Sequence, residues 1–132
     1  MRNFFVGLLV LYGAYYYVSR HFQFDDTLVY AAKHQDKTWA GPVQYYVGLV
    51  YYQRSEYKKA QDAFSKLLEQ HPTDYHAPRG LVLLGDSAEM NHDWKAAGDA
   101  MKRYLEEYPN GKDAELVRGR LDMLKYQHGS DL

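Results

Sequence analysis

The sequence contains no cysteine and only four prolines among its 132 residues. Without cysteine, the chain can form no disulfide, no cysteine-ligated zinc site, no thiol nucleophile and no lipid attachment at a cysteine. Its charges are balanced, with 16 Lys and Arg against 17 Asp and Glu, which gives no support for a nucleic-acid partner. Long strand-like alternations are absent, and 14 tyrosines dominate the aromatic residues. This composition favours an all-α chain of one domain.

An uncharged run of fifteen residues, FFVGLLVLYGAYYYV (4–18), lies between Arg2 and Arg20. Three structures compete for it: a cleaved leader, an apolar helix buried in the core, and a membrane anchor. A leader would need a small-x-small cleavage site after the run, where bulky tyrosines stand instead. The run is short for a span of about 20 residues, but its tyrosines suit a membrane interface. We therefore expect residues 1–22 to form an N-terminal transmembrane helix.

Two further expectations concern this helix. Gly7 and Ala14 are seven residues apart and share a helix face, which would let partner helices approach closely. Small residues are also common in such spans without any special role. The flanking charges weakly favour an N-terminus inside the cytoplasm and a following domain outside it.

Two stretches of the chain repeat each other at a distance of 37 residues. The matched pairs are Gly48 with Gly85, Ala60 with Ala97, Phe64 with Met101, and Pro72 with Pro109. A glycine inside a helix costs about 1 kcal/mol relative to alanine, so its recurrence indicates a close approach of two helix backbones. The proline would end the second helix of each copy, because the residue before a proline disfavours the helical region.

This pattern resembles the tetratricopeptide repeat, whose consensus W-x2-L-G-x2-Y…A-x3-F…P extends over 34 residues. The residues that carry the resemblance are Val47, Gly48, Tyr51, Ala60, Phe64 and Pro72 in the first copy, and Leu84, Gly85, Ala97, Met101 and Pro109 in the second. The sequence departs from the consensus at Gln44, Leu81 and Ala88, and each unit is longer than the consensus. Units with similarly long connections occur in the tetratricopeptide proteins of bacterial envelopes.

The resemblance implies a short α-solenoid of antiparallel helix pairs behind the N-terminal helix. Its expected parts are a flanking helix and linker at 23–41, a first unit at 42–74, a second unit at 75–111, a capping helix at 112–127 and a fraying tail at 128–132. The capping helix resembles the first helix of a third unit, with the charged residues Arg118, Arg120, Asp122 and Lys125 facing water. Since at least three repeats are usually needed for stable burial, the stability of the array would depend on its anchor, a partner or a second copy of the chain.

Residues with catalytic or metal-binding chemistry are sparse. Glu89 and His92 form a single E-x-x-H, whereas di-iron bundles need two such motifs and further glutamates. No G-x-S-x-G, P-loop or dinucleotide fingerprint occurs. We expect no catalytic residue, no cofactor, no metal and no small-molecule substrate, and hence no enzyme. A metal-dependent enzyme at the Glu89–His92 pair is the weaker alternative.

By the usual geometry of tetratricopeptide arrays, the first helix of each unit lines a concave groove. The groove positions that the resemblance implies are Tyr45, Leu49, Tyr52 and Gln53 in the first unit, and Arg79, Val82, Asp86, Glu89 and Met90 in the second. Members of the family that grip a C-terminal carboxylate use lysine and asparagine where this chain has Tyr45 and Leu49. A peptide or helix with apolar content is therefore the expected ligand. Alternatively, Tyr45 and Tyr52 pack against the flanking helix of residues 25–35.

These observations lead us to expect a non-enzymatic scaffold or accessory subunit of a multi-subunit complex in a bacterial inner membrane. Membrane-protein partners would bind the anchor and the repeats, lipid would surround the anchor, and nucleic acid would play no part. The alternative is a chaperone-like or targeting receptor that binds client peptides transiently at the membrane. Solvent-exposed groove tyrosines would favour the receptor, and a groove filled by a neighbour would favour the subunit.

Overall fold

The computed structural model describes residues 2–21, 25–34 and 36–132. The described residues form helices and no strand, which confirms the predicted all-α fold for this part of the chain. The helices are α1 (Arg2–His21), α2 (Asp25–Lys33), α3 (Ala40–Gln53), α4 (Tyr57–Gln70), α5 (Ala77–Met90), α6 (Trp94–Glu107) and α7 (Ala114–His128), followed by a 3-10 turn at Gly129–Asp131. Both ends of the predicted anchor (1 and 22) and the start of the predicted flanking segment (23 and 24) lie outside the described residues.

Helices α3 to α6 form two successive pairs with the same local geometry. Each of the four helices has 14 residues. The first pair ends at His71 with φ −135° and ψ 58°, and the second ends at Tyr108 with φ −131° and ψ 58°. A proline follows directly in both cases, and it favours this extended conformation of the residue before it. The predicted construction from helix pairs is therefore confirmed.

The two repeated glycines lie where the helices of a pair touch, but they are not equally crowded. A Cβ built on Gly48 would lie 2.7 Å from Cε1 of Phe64. At Gly85 the nearest atoms, Cε and Cγ of Met101, would be 3.6 Å away, which is ordinary van der Waals contact. The rigid ring of Phe64 thus requires a glycine opposite it, whereas the flexible Met101 side chain leaves room for a methyl group.

Two clusters of buried side chains run through the array from α2 to α7. One cluster joins Leu28 of α2 to α3, α4 and Leu83 of α5. The other joins Leu68 of α4 to α5, α6 and α7. Ala60, Phe64, Ala97 and Met101, which all belong to the repeat pattern, are buried in these clusters. Helices α2 and α7 therefore contribute to the outer ends of the two clusters, and the partly buried Leu84 packs against both.

The C-terminal tail is held against the array, so the expectation that it frays was wrong. The ring of His128 stacks on Trp94 with 3.8 Å between centroids and 9° between planes. Leu132 packs against the cluster formed by α5, α6 and α7. These two contacts fold the 3-10 turn back towards α6.

Helix α1 carries its apolar side chains on the outside. All the large hydrophobic residues from Phe4 to Val18 are exposed, so the alternative of a buried core helix is wrong. In the part of the chain that the structure describes, no helix combines the length and the apolarity that crossing a membrane requires. This finding corrects the expected transmembrane helix at residues 1–22, and leaves its single-pass inner-membrane placement without support. Tyrosines at 12 and 15–17 carry polar hydroxyls where a span would carry aliphatic side chains.

The face of α1 that was expected to pack against partner helices is open. A Cβ built on Gly7 would meet no atom within 4 Å, and Ala14 is exposed. The role of these two residues in helix packing therefore remains a prediction.

Candidate partner-binding groove

One side of α5 carries most of the second-unit residues that were predicted to line a groove. Arg79, Asp86, Glu89 and Met90 follow each other along one side of the helix. At 1.5 Å per residue they extend over about 16 Å. Val82, which was also predicted to line the groove, is instead buried in the cluster formed by α5, α6 and α7. Recesses open at both ends of this side, near Arg79 and near Met90.

The middle of the groove is bridged by Arg120 of α7. Its guanidinium donates hydrogen bonds to Asp86 through Nη1 and to Glu89 through Nη2, the latter with an Nη2–Oε2 distance of 3.3 Å. Charge-assisted hydrogen bonds of this kind tie α7 to α5. The expectation that Arg120 faces water was therefore wrong, and two of the predicted groove residues bind within the chain.

The bridge is partly shielded from water, and this changes the proton affinity of two of its members. Burial raises the pKa of Glu89 above its ordinary value, against the opposing effect of the nearby His128. Burial lowers the pKa of Arg120, and the proximity of Tyr52 on α3 opposes that change. Partial burial of the bridge therefore affects an acid on α5 and a base on α7 in opposite directions.

The recess at the N-terminal end of α5 is aromatic and cationic, with a volume of about 530 Å³. The ring of Tyr45 stacks on His76, with 4.4 Å between centroids. Arg79 lies 3.7 Å from Asp113, measured from Nη1 to Oδ2, and half of its side chain is exposed. An ion pair with that exposure contributes little stability, so Arg79 keeps most of its capacity to bind an acidic group of a partner.

The first-unit side of the groove is partly filled from within the chain. Tyr45, Leu49 and Tyr52 are half-buried and pack against the cluster that contains Leu28 of α2. The ring of Tyr52 also meets the edge of Tyr57, with 5.7 Å between centroids. Gln53 is exposed at the end of α3.

The recess at the C-terminal end of α5 is larger, about 670 Å³, and mainly apolar. Its walls come from the end of α5, the start of α6 and one side of α7. The residues that line it include Glu89, Met90, Trp94, Leu116, Arg120 and Met123. Recesses with apolar walls and a few polar groups suit the side chains of a protein ligand.

The Glu89–His92 pair does not form a shared site. The Glu89 carboxylate accepts from Arg120, and the His92 ring meets the edge of Trp94 with 5.2 Å between centroids. Within the described residues, no three His, Asp or Glu side chains come together in a way that could hold a metal ion.

Comparison with known proteins identifies one family. The family model described as "YfiO: Outer membrane lipoprotein" matches residues 41–128. The matched region includes both helix pairs and α7, and therefore the whole groove along α5. No curated protein matches the chain.

Proposed function

The chain belongs to the YfiO family of outer membrane lipoproteins, and on this premise we propose that it is a non-enzymatic accessory protein of the bacterial envelope that holds a partner protein along α5. The observation that carries this proposal is that the family match covers the helices that build the groove. The expected partner is a subunit of a multi-subunit envelope complex.

The two recesses suggest what the partner presents. An apolar side chain suits the recess beside Met90 and Trp94, and an acidic or hydrogen-bonding group suits Arg79 at the other end. The separation of about 16 Å corresponds to roughly five residues of extended chain or about eleven of helix. The distance between the two contact points is fixed because both belong to α5, and the Arg120 bridge lies between them.

A stable subunit agrees better with the groove tyrosines than a transient receptor does. Tyr45 and Tyr52 are half-buried and make ring contacts within the chain. A receptor that samples many client peptides would present such residues to solvent, as adaptable surfaces do. We therefore favour a fixed partner over transient clients.

We further propose that α1 attaches the protein to its site. The family description names a lipoprotein, but these 132 residues contain no cysteine to carry a lipid. The large apolar side chains of α1 from Phe4 to Val18 are all exposed, and contiguous exposed apolar surface is typical of interaction sites. We propose that α1 buries this surface against helices of a membrane-protein partner, with Gly7 and Ala14 on the contact face.

Gentle detergent extraction of the tagged protein from its native cells, followed by mass spectrometry, tests the groove. The variant Gln53→Glu/Arg79→Glu places two acids on exposed groove positions. We expect it to lose about tenfold of the co-purified partner, as substitutions at well-packed contact points do.

The matched control is Lys102→Glu, a charge change at an exposed position of α6. It is expected to retain the partner at the wild-type ratio, and circular dichroism should show the same helicity for all three proteins. Equal partner recovery from the groove variant and the control would contradict binding along α5.

A further inference from the structure

Helix α7 carries two apolar stripes, and only one of them is covered. Ala114, Val117, Leu121 and Leu124 are buried against the rest of the array. Leu116, Gly119, Met123 and Tyr126 repeat the same spacing two residues further along the chain. Two residues correspond to a rotation of about 200° around a helix, so this second set, here called the outer stripe, lies on the opposite side. Its side chains are 53% (Leu116), 60% (Met123) and 93% (Tyr126) exposed.

The glycine of the outer stripe marks a position that a helix covers elsewhere in this chain. Gly48, Gly85 and Gly119 follow each other at intervals of 37 and 34 residues. A Cβ on Gly48 would touch Phe64 of α4, and a Cβ on Gly85 would touch Met101 of α6. A Cβ on Gly119 would meet no atom within 4 Å. Helix α7 thus resembles the first helix of a third unit, with its glycine position uncovered.

The outer stripe adjoins a recess of suitable size for an incoming side chain. Leu116, Gly119 and Met123 form one wall of the recess of about 670 Å³ at the end of α5, and Met90 and Trp94 form another. A helix laid along α7 could therefore insert an apolar side chain beside Trp94, as Phe64 and Met101 insert beside their glycines. This arrangement continues the interface by which the helix pairs of the array are built.

The charges beside the outer stripe restrict what covers it. Glu115 and Asp122 are seven residues apart and follow the same edge of the stripe. The Glu115 side chain is 91% exposed despite its ion pair with Arg118. On the other edge, Arg120 is already bound to Asp86 and Glu89. The accessible edge is therefore acidic, which suits a ligand with basic residues and disfavours an anionic lipid surface.

We propose that the outer stripe of α7 docks an amphipathic helix of a partner protein, with its apolar face over Gly119 and lysine or arginine beside Glu115 and Asp122. A second copy of α7 fits less well, because an antiparallel twofold pair places the same acidic edges side by side. The inference rests on the proposed accessory role, since it names the element by which the partner completes the third unit.

Photo-crosslinking in the native cells tests this docking. A photoreactive amino acid replaces the exposed Met123 in the full chain, and the crosslinked residue of the partner is mapped by mass spectrometry. We expect a crosslink to a predicted amphipathic helix of another envelope protein. Adding Gly119→Leu should reduce the crosslink about tenfold, because the side chain would hold the incoming helix away from α7.

The matched control is Lys125→Leu, which places the same side chain at an exposed position of α7 away from the outer stripe. It should leave the crosslink within about twofold of the parent protein. Gly119→Leu should not lower the thermal midpoint of the purified protein, because the position is open and leucine favours a helix more than glycine does.

The remaining outcomes contradict the proposal. A crosslink to a second copy of the chain, a crosslink to lipid alone, no crosslink, or equal crosslinks from both leucine variants would each overturn docking on α7. If a partner is still lost from the Gln53→Glu/Arg79→Glu variant in those cases, only the α7 proposal fails. If no protein partner is recovered in either experiment, the accessory role fails as well.

Discussion

At the scale of single residues, one repeat position has different packing in its two copies. Gly48 faces the Phe64 ring at a distance that excludes a methyl group, whereas Gly85 faces Met101 with room for one. We expect Gly48→Ala to lower the free energy of unfolding by about 1–3 kcal/mol through overpacking. Gly85→Ala should raise it by up to about 1 kcal/mol, because alanine favours a helix more than glycine does. Urea unfolding of the purified proteins measures both changes.

The variant Phe64→Leu provides the control for the crowding at Gly48. Combined with Phe64→Leu, Gly48→Ala should cost less than it does in the wild-type background, since a smaller side chain leaves space for the methyl group. If Gly48→Ala costs the same in the Phe64→Leu background as in wild type, the close contact with Phe64 is not what requires a glycine at position 48.

Glu89 gives the groove a pH-dependent contribution to stability. Because its pKa is raised in the folded protein, the folded state holds this proton more tightly than the unfolded chain. That contribution is present below the ordinary pKa of 4.5 and is lost as the pH rises through the raised value. Glu89→Gln should therefore gain stability relative to wild type as the pH increases from about 4 to about 7.

The measurement is a series of denaturant titrations across that pH range, with Glu115→Gln as the matched control. Glu115 is largely exposed on α7, so its substitution shows what the same chemical change does at a carboxylate that is not buried. A stability difference between Glu89→Gln and wild type that does not change with pH would refute the role of burial at this carboxylate.

At the scale of the elements, the turns inside the two helix pairs share a strained residue. Ser55 has φ 60° and His92 has φ 58°, and both precede the second helix of their pair. This left-handed conformation costs a residue with a Cβ roughly 1 kcal/mol or more. We expect Ser55→Gly to raise the free energy of unfolding by about 0.5–1 kcal/mol, after the larger unfolded-state entropy of glycine is included.

The control for this turn is Ser55→Ala, which removes the hydroxyl but keeps the Cβ. It should give no comparable gain, because the strain comes from the Cβ and the backbone. Thermal unfolding of the two variants beside wild type separates the explanations. A gain from alanine as large as the gain from glycine would rule out relief of backbone strain.

The helix pairs themselves were predictable because their signals are local. Gly48 and Gly85 recur at 37 residues because each lies at a close contact between helices, which favours glycine. Pro72 and Pro109 recur at the same spacing because each follows the end of a second helix, which favours proline. The strained turns were not predicted, since serine and histidine give no sign of a left-handed backbone. The same spacing relates Ser55 to His92, so alignment of the two copies could have suggested a shared turn geometry.

The N-terminal helix shows the limit of a composition argument. Its uncharged run predicted a membrane span, but four tyrosines leave α1 too polar for one. Its apolar surface is exposed, and the proposed attachment to a partner would bury it. We expect Leu8→Glu/Leu11→Glu to move the protein from the membrane fraction to the supernatant, because each charge would be buried at an apolar contact.

Cell fractionation and immunoblotting measure that shift. The control is Lys33→Glu/Lys37→Glu, which introduces the same side chains at exposed positions outside α1 and should leave the distribution unchanged. Release of both variants, or retention of both, would contradict attachment through α1.

At the scale of the whole molecule, the groove depends on contacts between residues that are far apart in sequence. Arg120 binds Asp86 and Glu89 across more than thirty residues, and Tyr45 stacks on His76 of the next helix pair. The resemblance to tetratricopeptide arrays implied which side of α5 would line a groove, but the relative rotation of α5 and α7 decides which charges meet. For that reason Arg120 was expected to face water, whereas its guanidinium binds Asp86 and Glu89 of α5.

The most direct measurement of the central claim is the stoichiometry of the detergent-extracted complex, determined by quantitative mass spectrometry at several expression levels of the tagged protein. An accessory subunit predicts one set of envelope proteins whose ratio to the complexed protein stays constant. A changing set of unrelated proteins, or a bound fraction that rises and falls with client abundance, would contradict the subunit and indicate a transient receptor.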